Sequence, residues 1–240
     1  MKKKYVVITG GSKGIGAGIA SRLSGEGYLP IILDQVEPAK GLDAEFHKID
    51  LSDTQATTQL MDEIASKYPV TRLVNNVGIV RPALLENTSL EDFNQVMLLN
   101  AQTALICVKA LVPVMRQQKY GRIVSITSRT VLGKEMRTAY SASKGALAAM
   151  TRTWALELAA DGITVNAVAP GPIETEAFKK NNPLSDPRTQ AIVNGIPVKR
   201  LGAPADVAQA VSFFLDKKSG FITGQTLYVC GGLTVGLNTI

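Results

Sequence analysis

Apolar residues fall along this chain in two kinds of run. Short apolar blocks, Tyr5–Ile8, Leu29–Asp34, Arg72–Gly78, Gly121–Ser128, Ile163–Val168 and Gln225–Gly232, read as strands of a buried sheet. A seventh block, Glu45–Leu51, is weaker but sits in the same rhythm. Between the blocks the apolar spacing changes to the helical period: Ala17 to Leu23, Thr54 to Tyr68 with Leu60, Met61 and Ile64, Ala142 to Leu158, and Pro204 to Leu215. Phe93 to Met115 is the longest such run, with Val96, Leu99, Leu105, Val108, Leu111 and Val112 interrupted by Asn100. Strands alternating with helices predict an α/β fold, a doubly wound parallel sheet of about seven strands with helices on both faces. One crossover departs from the pattern. The stretch Val36 to Asp43 contains Pro38 and Gly41 and is too short for a regular crossover helix, so a loop or single turn is expected there. The polar, proline-punctuated segment 174–197 breaks the alternation a second time and reads as a lid over a site.

With 240 residues, 45% hydrophobic and 19% charged, the chain can bury a full core and suits one domain over 1–240. The opening Met1 to Ile8 is basic but has too few apolar residues for a signal-peptide core, and no uninterrupted apolar run reaches the roughly 18 residues of a membrane span, so no membrane association is expected. Cys107 and Cys230 lie in apolar surroundings without metal-ligand or redox spacing, which points to packing roles, to no bound metal and to a reduced, cytoplasmic setting. The net charge of +6 is scattered, with no basic stripe and no interleaved aromatics, which argues against a nucleic-acid partner. The single histidine, His47, excludes a histidine cluster and defaults to a strand or surface role.

Candidate chemistry gathers where strands end. Tyr5–Ile8 runs into Thr9-Gly10-Gly11-Ser12-Lys13-Gly14-Ile15-Gly16 and then into a helix; glycines admit close backbone approach by a pyrophosphate, and the helix N-terminus offers unpaired N–H groups to an anion. Asp34 closes the second strand, 20 residues past Gly14, at the distance where a dinucleotide-binding unit places a carboxylate on ribose hydroxyls. That carboxylate would repel a 2′-phosphate and argues for NAD(H); Lys13 argues mildly for NADP(H). Asn75-Asn76-x-Gly78 suits a strand-end turn whose amides tie neighbouring strands, or merely a turn. Asn100, an amide in mid-helix, must bond a backbone group or hold a water. Ser128 leaves the fifth strand 12 residues before Tyr140, and Tyr140 precedes Lys144 by four, which places phenol and ammonium on one helix face. A nearby cation favours the phenolate, so Tyr140 is the candidate proton carrier and Lys144 its tuner. Arg129 and Arg137 flank this stretch and suit a carboxylate or phosphate fork, or are two solvated arginines.

Taken together and in this order, Thr9-Gly10-x-x-x-Gly14-x-Gly16, Asn75-Asn76-x-Gly78, Asn100, Ser128, Tyr140-x-x-x-Lys144 and Pro170-Gly171 with Thr175 resemble the short-chain dehydrogenase/reductase family over nearly the whole chain. The resemblance implies a Rossmann-type fold and a secondary alcohol or diol interconverted with a ketone by NAD(P). Tyr140 would be the acid/base, Lys144 would hold the nicotinamide ribose and lower the Tyr140 pKa, Ser128 would bond the carbonyl oxygen, and Asn100 would keep a relay water. It also implies cofactor contacts at Gly10, Ser12, Lys13, Gly14, Ile15 and Gly16, at Asp34, Asp50 and Leu51, at Asn76, Val77 and Gly78, and at Pro170, Gly171, Ile173 and Thr175. A homotetramer or homodimer would follow from the same likeness. Lys119 and Arg122 resemble part of the basic docking surface of 3-oxoacyl-(acyl-carrier-protein) reductases, but Asp161 stands where a second docking cation is usual, so that activity is the alternative. A nucleotide-binding regulator without turnover is a second alternative. Departures lie in the short segment after Asp34 and in a Ser128 to Tyr140 interval one residue below the commonest family spacing.

Overall fold

A computed structural model of the chain describes residues 3–183 and 185–236. Seven parallel strands form one sheet in the order β3-β2-β1-β4-β5-β6-β7, where β1 is Lys4–Thr9, β2 Tyr28–Asp34, β3 Glu45–Lys48, β4 Arg72–Asn75, β5 Gly121–Ile126, β6 Ile163–Pro170 and β7 Thr226–Val229. Order reverses beside β1, whose neighbours are β2 and β4, and crevices at such a switch point are where open α/β sheets bind ligands. Residues along β1, β2, β4, β5 and β6 are buried on both faces, which accounts for their continuous apolar runs.

Helices supply the cover. On one face α1 (Gly14–Gly25) and α8 (Pro204–Leu215) close over Ile8, Ile32, Val74 and Val168. On the other, α2 (Thr54–Lys67), α4 (Thr103–Gln118) and α5 (Thr138–Leu158) pack Met61, Leu111, Met115 and Trp154 against Leu33, Leu73 and Ile123. The N-terminus of α2 is fixed by Asp53, whose carboxylate accepts the Ala56 N–H at 2.9 Å. No helix forms between β2 and β3, as the proline and glycine there require.

Two results differ from the sequence reading. The segment 174–197 contains two short helices, α6 (Glu176–Asn181) and α7 (Pro187–Gly195), each started by a side-chain cap, Thr175 on the Phe178 N–H and Asp186 on the Arg188 N–H. Those caps fix where each short helix starts within a segment broken by Pro183, Pro187 and Pro197. Second, α3 (Leu90–Met97), a π turn (Leu98–Gln102) and α4 run on as one helix, Leu90–Gln118, long and apolar enough to cross a membrane by length and composition alone. Val96, Ala104, Cys107, Val108, Leu111 and Met115 are buried in the protein core, which explains the hydropathy.

At the opposite edge of the sheet from the strand exits, two arginines complete the C-terminal end of α8. Arg72 donates through Nε to the Leu215 carbonyl at 3.3 Å and through Nη2 to the Tyr120 hydroxyl at 2.7 Å, with its guanidinium 4.8 Å from the Tyr28 ring centre and 5.0 Å from that of Tyr120. Arg122 donates to the Asp216, Lys217 and Gly162 carbonyls and stacks 4.4 Å from the same Tyr120 ring. Two cations at a helix C-terminus satisfy orphan carbonyls and complement the dipole. Arg122 is therefore a buried structural group rather than part of a basic docking surface. Lys119 shares the single carboxylate of Asp161 with Arg116, at 3.4 and 2.8 Å. Replacing Arg72 by Met would leave the Leu215 carbonyl and Tyr120 hydroxyl unpaired, and urea denaturation is expected to record a loss of about 1–3 kcal/mol.

Candidate active site

Parallel strands all exit on one side, and there two adjoining cavities open, of about 410 and 360 Å3. The larger lies over the glycine turn between β1 and α1. Gly10, Lys13, Gly14, Ile15 and Gly16 line one wall, Asp34 closes the β2 side, and Asn76, Val77 and Gly78 follow from β4. Glycine is required here for packing reasons: a Cβ on Gly16 would meet the Gly10 carbonyl oxygen at 1.9 Å, and Gly14 holds φ +54°. Asp34 is fixed by the Ser12 N–H at 3.0 Å and the Val36 N–H at 3.3 Å. Asn76 ties β4 to β1, its Nδ2 donating to the Thr9 and Gly10 carbonyls at 3.0 and 2.8 Å, while the Thr9 hydroxyl receives the N–H groups of Asn76 and Val77.

The smaller cavity adjoins this one, and Ile15, Val80, Ile126, Tyr140 and Thr175 border both. Its walls carry Thr127, Ser128, Arg129 and Thr130 from the exit of β5, Lys134 and Arg137 from the following loop, Pro170 to Ile173 from the exit of β6, and Phe178, Asn182 and Ile192 from the helical segment above. Among the described residues no carboxylate lines it.

Burial governs the titratable groups between the cavities. Tyr140 has its pKa raised by burial, with a hydrogen bond to Ser128 and the charge of Arg137 pulling the other way. Lys144 is 2% exposed and burial lowers its pKa to about 8. Its Nζ donates to the Ile126 carbonyl at 2.8 Å and stands 5.7 Å from the centre of the Tyr140 ring. Ser128 and Arg137 are the groups that pull the Tyr140 pKa down in this geometry, while the Lys144 ammonium is itself desolvated and turned to a strand carbonyl. Ser128 starts the turn Arg129–Leu132, accepting the Thr130 N–H at 3.2 Å, whereas the Thr127 hydroxyl is committed to the Val168 carbonyl at 3.1 Å. Of the two adjacent hydroxyls, Ser128 is the one that pulls the Tyr140 pKa down.

Asn100 lies one layer behind. Its side-chain amide pairs with both backbone groups of Ile79, Oδ1 accepting the N–H at 2.8 Å and Nδ2 donating to the carbonyl at 3.0 Å, and Nδ2 also reaches the Ser143 hydroxyl at 3.0 Å. The helix widens into a π turn at this point.

Residues 10–234 match the family model described as Enoyl-(Acyl carrier protein) reductase. The chain is 34% identical to the 3-oxoacyl-(acyl-carrier-protein) reductase of Thermotoga maritima, with 98% of this chain and 99% of that protein aligned. It is also 34% identical to a hydroxy(phenyl)methylsuccinyl-CoA dehydrogenase subunit of Thauera aromatica, with 97% of each covered. The chain belongs to the short-chain dehydrogenase/reductase family. Its fold superposes with a TM-score of 0.91 on a putative NAD(P)-dependent gluconate 5-dehydrogenase of Beutenbergia cavernae, at 32% identity over 97% of both chains, a structure with bound NADP. It does so at 0.92 on the aldohexose dehydrogenase of Thermoplasma acidophilum, at 30% identity over 100% of this chain and 97% of that one. The protein is an NAD(P)-dependent oxidoreductase.

Within this short-chain dehydrogenase/reductase the structure brings Ser128, Tyr140 and Lys144 together and sets Arg129 and Arg137 in the smaller cavity. Three expected cofactor contacts fall outside both cavities. Ser12 is buried with its N–H spent on Asp34, Asp50 is turned to the Ser52 N–H and hydroxyl at 2.9 and 2.7 Å, and Leu51 is in the core. His47 pairs with Glu45 at 3.0 Å on the edge strand, and both cysteines are free and buried. Among the described residues no group of three or more His, Cys, Asp or Glu could hold a metal. Sequence reasoning missed Lys134, although three cations between positions 129 and 137 were a visible signal; it had no signal for Ser143, whose hydroxyl positions Asn100. Asn100→Ala would strip Ile79 of both partners, and thermal or urea unfolding is expected to fall by about 1–3 kcal/mol without loss of the overall helical content.

Proposed function

We propose that this enzyme interconverts a secondary alcohol, or diol, and a ketone, with Tyr140 as the acid/base, in one catalytic domain over 1–240. The observation that carries the reading is the position of Tyr140: it borders both cavities, with Ser128 beside it in the wall of the smaller one. Gly10, Gly14 and Gly16, with the Asp34 carboxylate at the end of the neighbouring strand, form a cradle that fits a dinucleotide. Bound nicotinamide dinucleotide supplies or accepts the hydride. Every remaining task falls to the chain. Ser128 donates to the carbonyl oxygen and Tyr140 passes a proton to it, or takes one from the alcohol. Lys144 holds the ribose hydroxyls, and Asn100 fixes the Ile79 backbone behind them and keeps the relay water. Segment 174–197 serves as the lid, supported by Phe178, Asn182 and Ile192 in the cavity wall.

NAD(H) is the favoured cofactor on the strength of Asp34, with NADP(H) usable. The exposed apolar side chains of Leu105, Leu156, Phe213 and Phe221 support assembly as a homotetramer or homodimer, and the two free cysteines support a cytoplasmic setting. Reduction of 3-oxoacyl carrier thioesters is the second reading, favoured by the sequence relatives but weakened by the pairing of Arg116 and Lys119 with Asp161.

Tyr140→Phe is expected to lower kcat about 100- to 10,000-fold while nucleotide affinity stays within a few-fold, measured by initial rates and a binding titration. A turnover unchanged by that substitution overturns the assignment. Because burial raises the phenol pKa, the proton donor persists through neutral pH; the rate of ketone reduction should fall only on the alkaline side, and alcohol oxidation should rise there. For the cofactor, Asp34→Asn keeps an acceptor for the Ser12 N–H and removes the charge. NADP(H) affinity should then rise about 10-fold or more relative to NAD(H), read by parallel titrations.

A further inference from the structure

The smaller cavity has an electrostatic character that the proton-transfer reading does not use. Arg129, Lys134 and Arg137 all line it, together with Ser128 and Tyr140, and among the described residues no carboxylate does. Nor does any of the three form an ion pair with a described residue; the Arg137 side chain donates from Nη1 to the Met136 carbonyl at 2.9 Å, next to itself in sequence. Arg116, Lys119, Arg188 and Arg200, by contrast, each lie within ion-pair distance of an aspartate. The three groups are close enough to act on one another: partial burial, then the charges of Arg137 and Arg129, press the Lys134 pKa below its ordinary value. Holding like charges together around a concave surface costs free energy that a bound anion relieves. A cavity of about 360 Å3 is at the small end of the range for ligand sites.

We infer that the substrate is a small secondary alcohol or ketone that itself carries a carboxylate or phosphate, held by Arg129, Lys134 and Arg137 while its reacting oxygen meets Ser128 and Tyr140. This rests on the oxidoreductase reading of the same site and narrows it. A guanidinium offers a planar pair of donors to a carboxylate or phosphate and the ammonium a point charge, so the trio recognises either anion and fixes which end of the molecule faces Tyr140.

The test compares matched pairs on the full chain with NADH and NADPH: acetoacetate against methyl acetoacetate, 3-oxocyclohexanecarboxylate against its methyl ester, and dihydroxyacetone phosphate against dihydroxyacetone. The same pairs are titrated calorimetrically into the nucleotide-saturated protein. At least one anion is expected to exceed its neutral partner about 10- to 100-fold in kcat/KM or affinity, the pair concerned telling carboxylate from phosphate. In the double variant Arg129→Met, Lys134→Met that ratio should collapse towards one through a rise in KM, and Arg129→Lys should restore part of it. Both side chains are at least partly exposed, so the variants are expected to fold, and their melting temperatures check this. Equal or better use of the neutral partners, turnover confined to acetoacetyl carrier-protein thioester, or no binding by any anion overturns the proposal. The underlying reading fails separately, if nucleotide does not bind or no ketone is reduced in a Tyr140-dependent way.

Discussion

A parallel sheet covered by helices on both faces has no free face at which to work, so chemistry is confined to its edge. Here β4, β5 and β6 are buried along their whole length and β1 and β2 along most of theirs, and all point the same way. Whatever follows a strand must therefore serve as a turn and as the site. Gly10 to Gly16 after β1, Asp34 at the end of β2, Asn76 after β4, Ser128 after β5 and Gly171 to Thr175 after β6 all lie on that edge because each is the next residue the chain can spend outside the core. The opposite edge is closed instead, where Arg72 and Arg122 are consumed in finishing α8.

That division explains why most of the fold was legible in the sequence. Strands buried on both faces leave continuous apolar runs, and the glycine turn leaves its spacing between a strand and a helix. The loop between Asp34 and Glu45 was legible for the converse reason, since Pro38 and Gly41 deny a helix. What escaped depended on single capping side chains or on partners remote in sequence. The α6 and α7 helices exist through the caps of Thr175 and Asp186 rather than through periodicity. Asn100 announced that it needed a partner, but that the partner would be Ile79, with Ser143 behind it, depends on how α3 to α5 pack. Arg122 beside Lys119 looked like surface charge, and only the end of α8 shows why a guanidinium is buried there.

The electrostatics of Tyr140 and Lys144 were the hardest part to read ahead. Four residues apart on one helix face, phenol and ammonium suggest mutual stabilisation of their charged forms. Yet the helix that aligns them also carries both into the protein, and desolvation opposes charge on each: the phenol is pushed up and the amine down to about 8. With the Ile126 carbonyl accepting from Lys144, the stronger pull on Tyr140 comes from Ser128 and Arg137, groups on a different element and at the helix start. Spacing fixed which residues meet; burial decided what they do to one another.

The same competition bears on why cations are left unpaired in the smaller cavity. Arg137 sits at the residue before α5, where its charge favours the Tyr140 phenolate, and a carboxylate placed beside it would cancel that effect and press the phenol higher still. An acid-free wall therefore serves two ends at once: it leaves Arg137 free to act on Tyr140, and it leaves Arg129 and Lys134 without a partner of their own. On the proposed reading an anionic substrate supplies the missing charge only when bound, at the far end of the molecule from the reacting oxygen. Binding then settles the three cations without giving the phenol a permanent neighbour of its own sign.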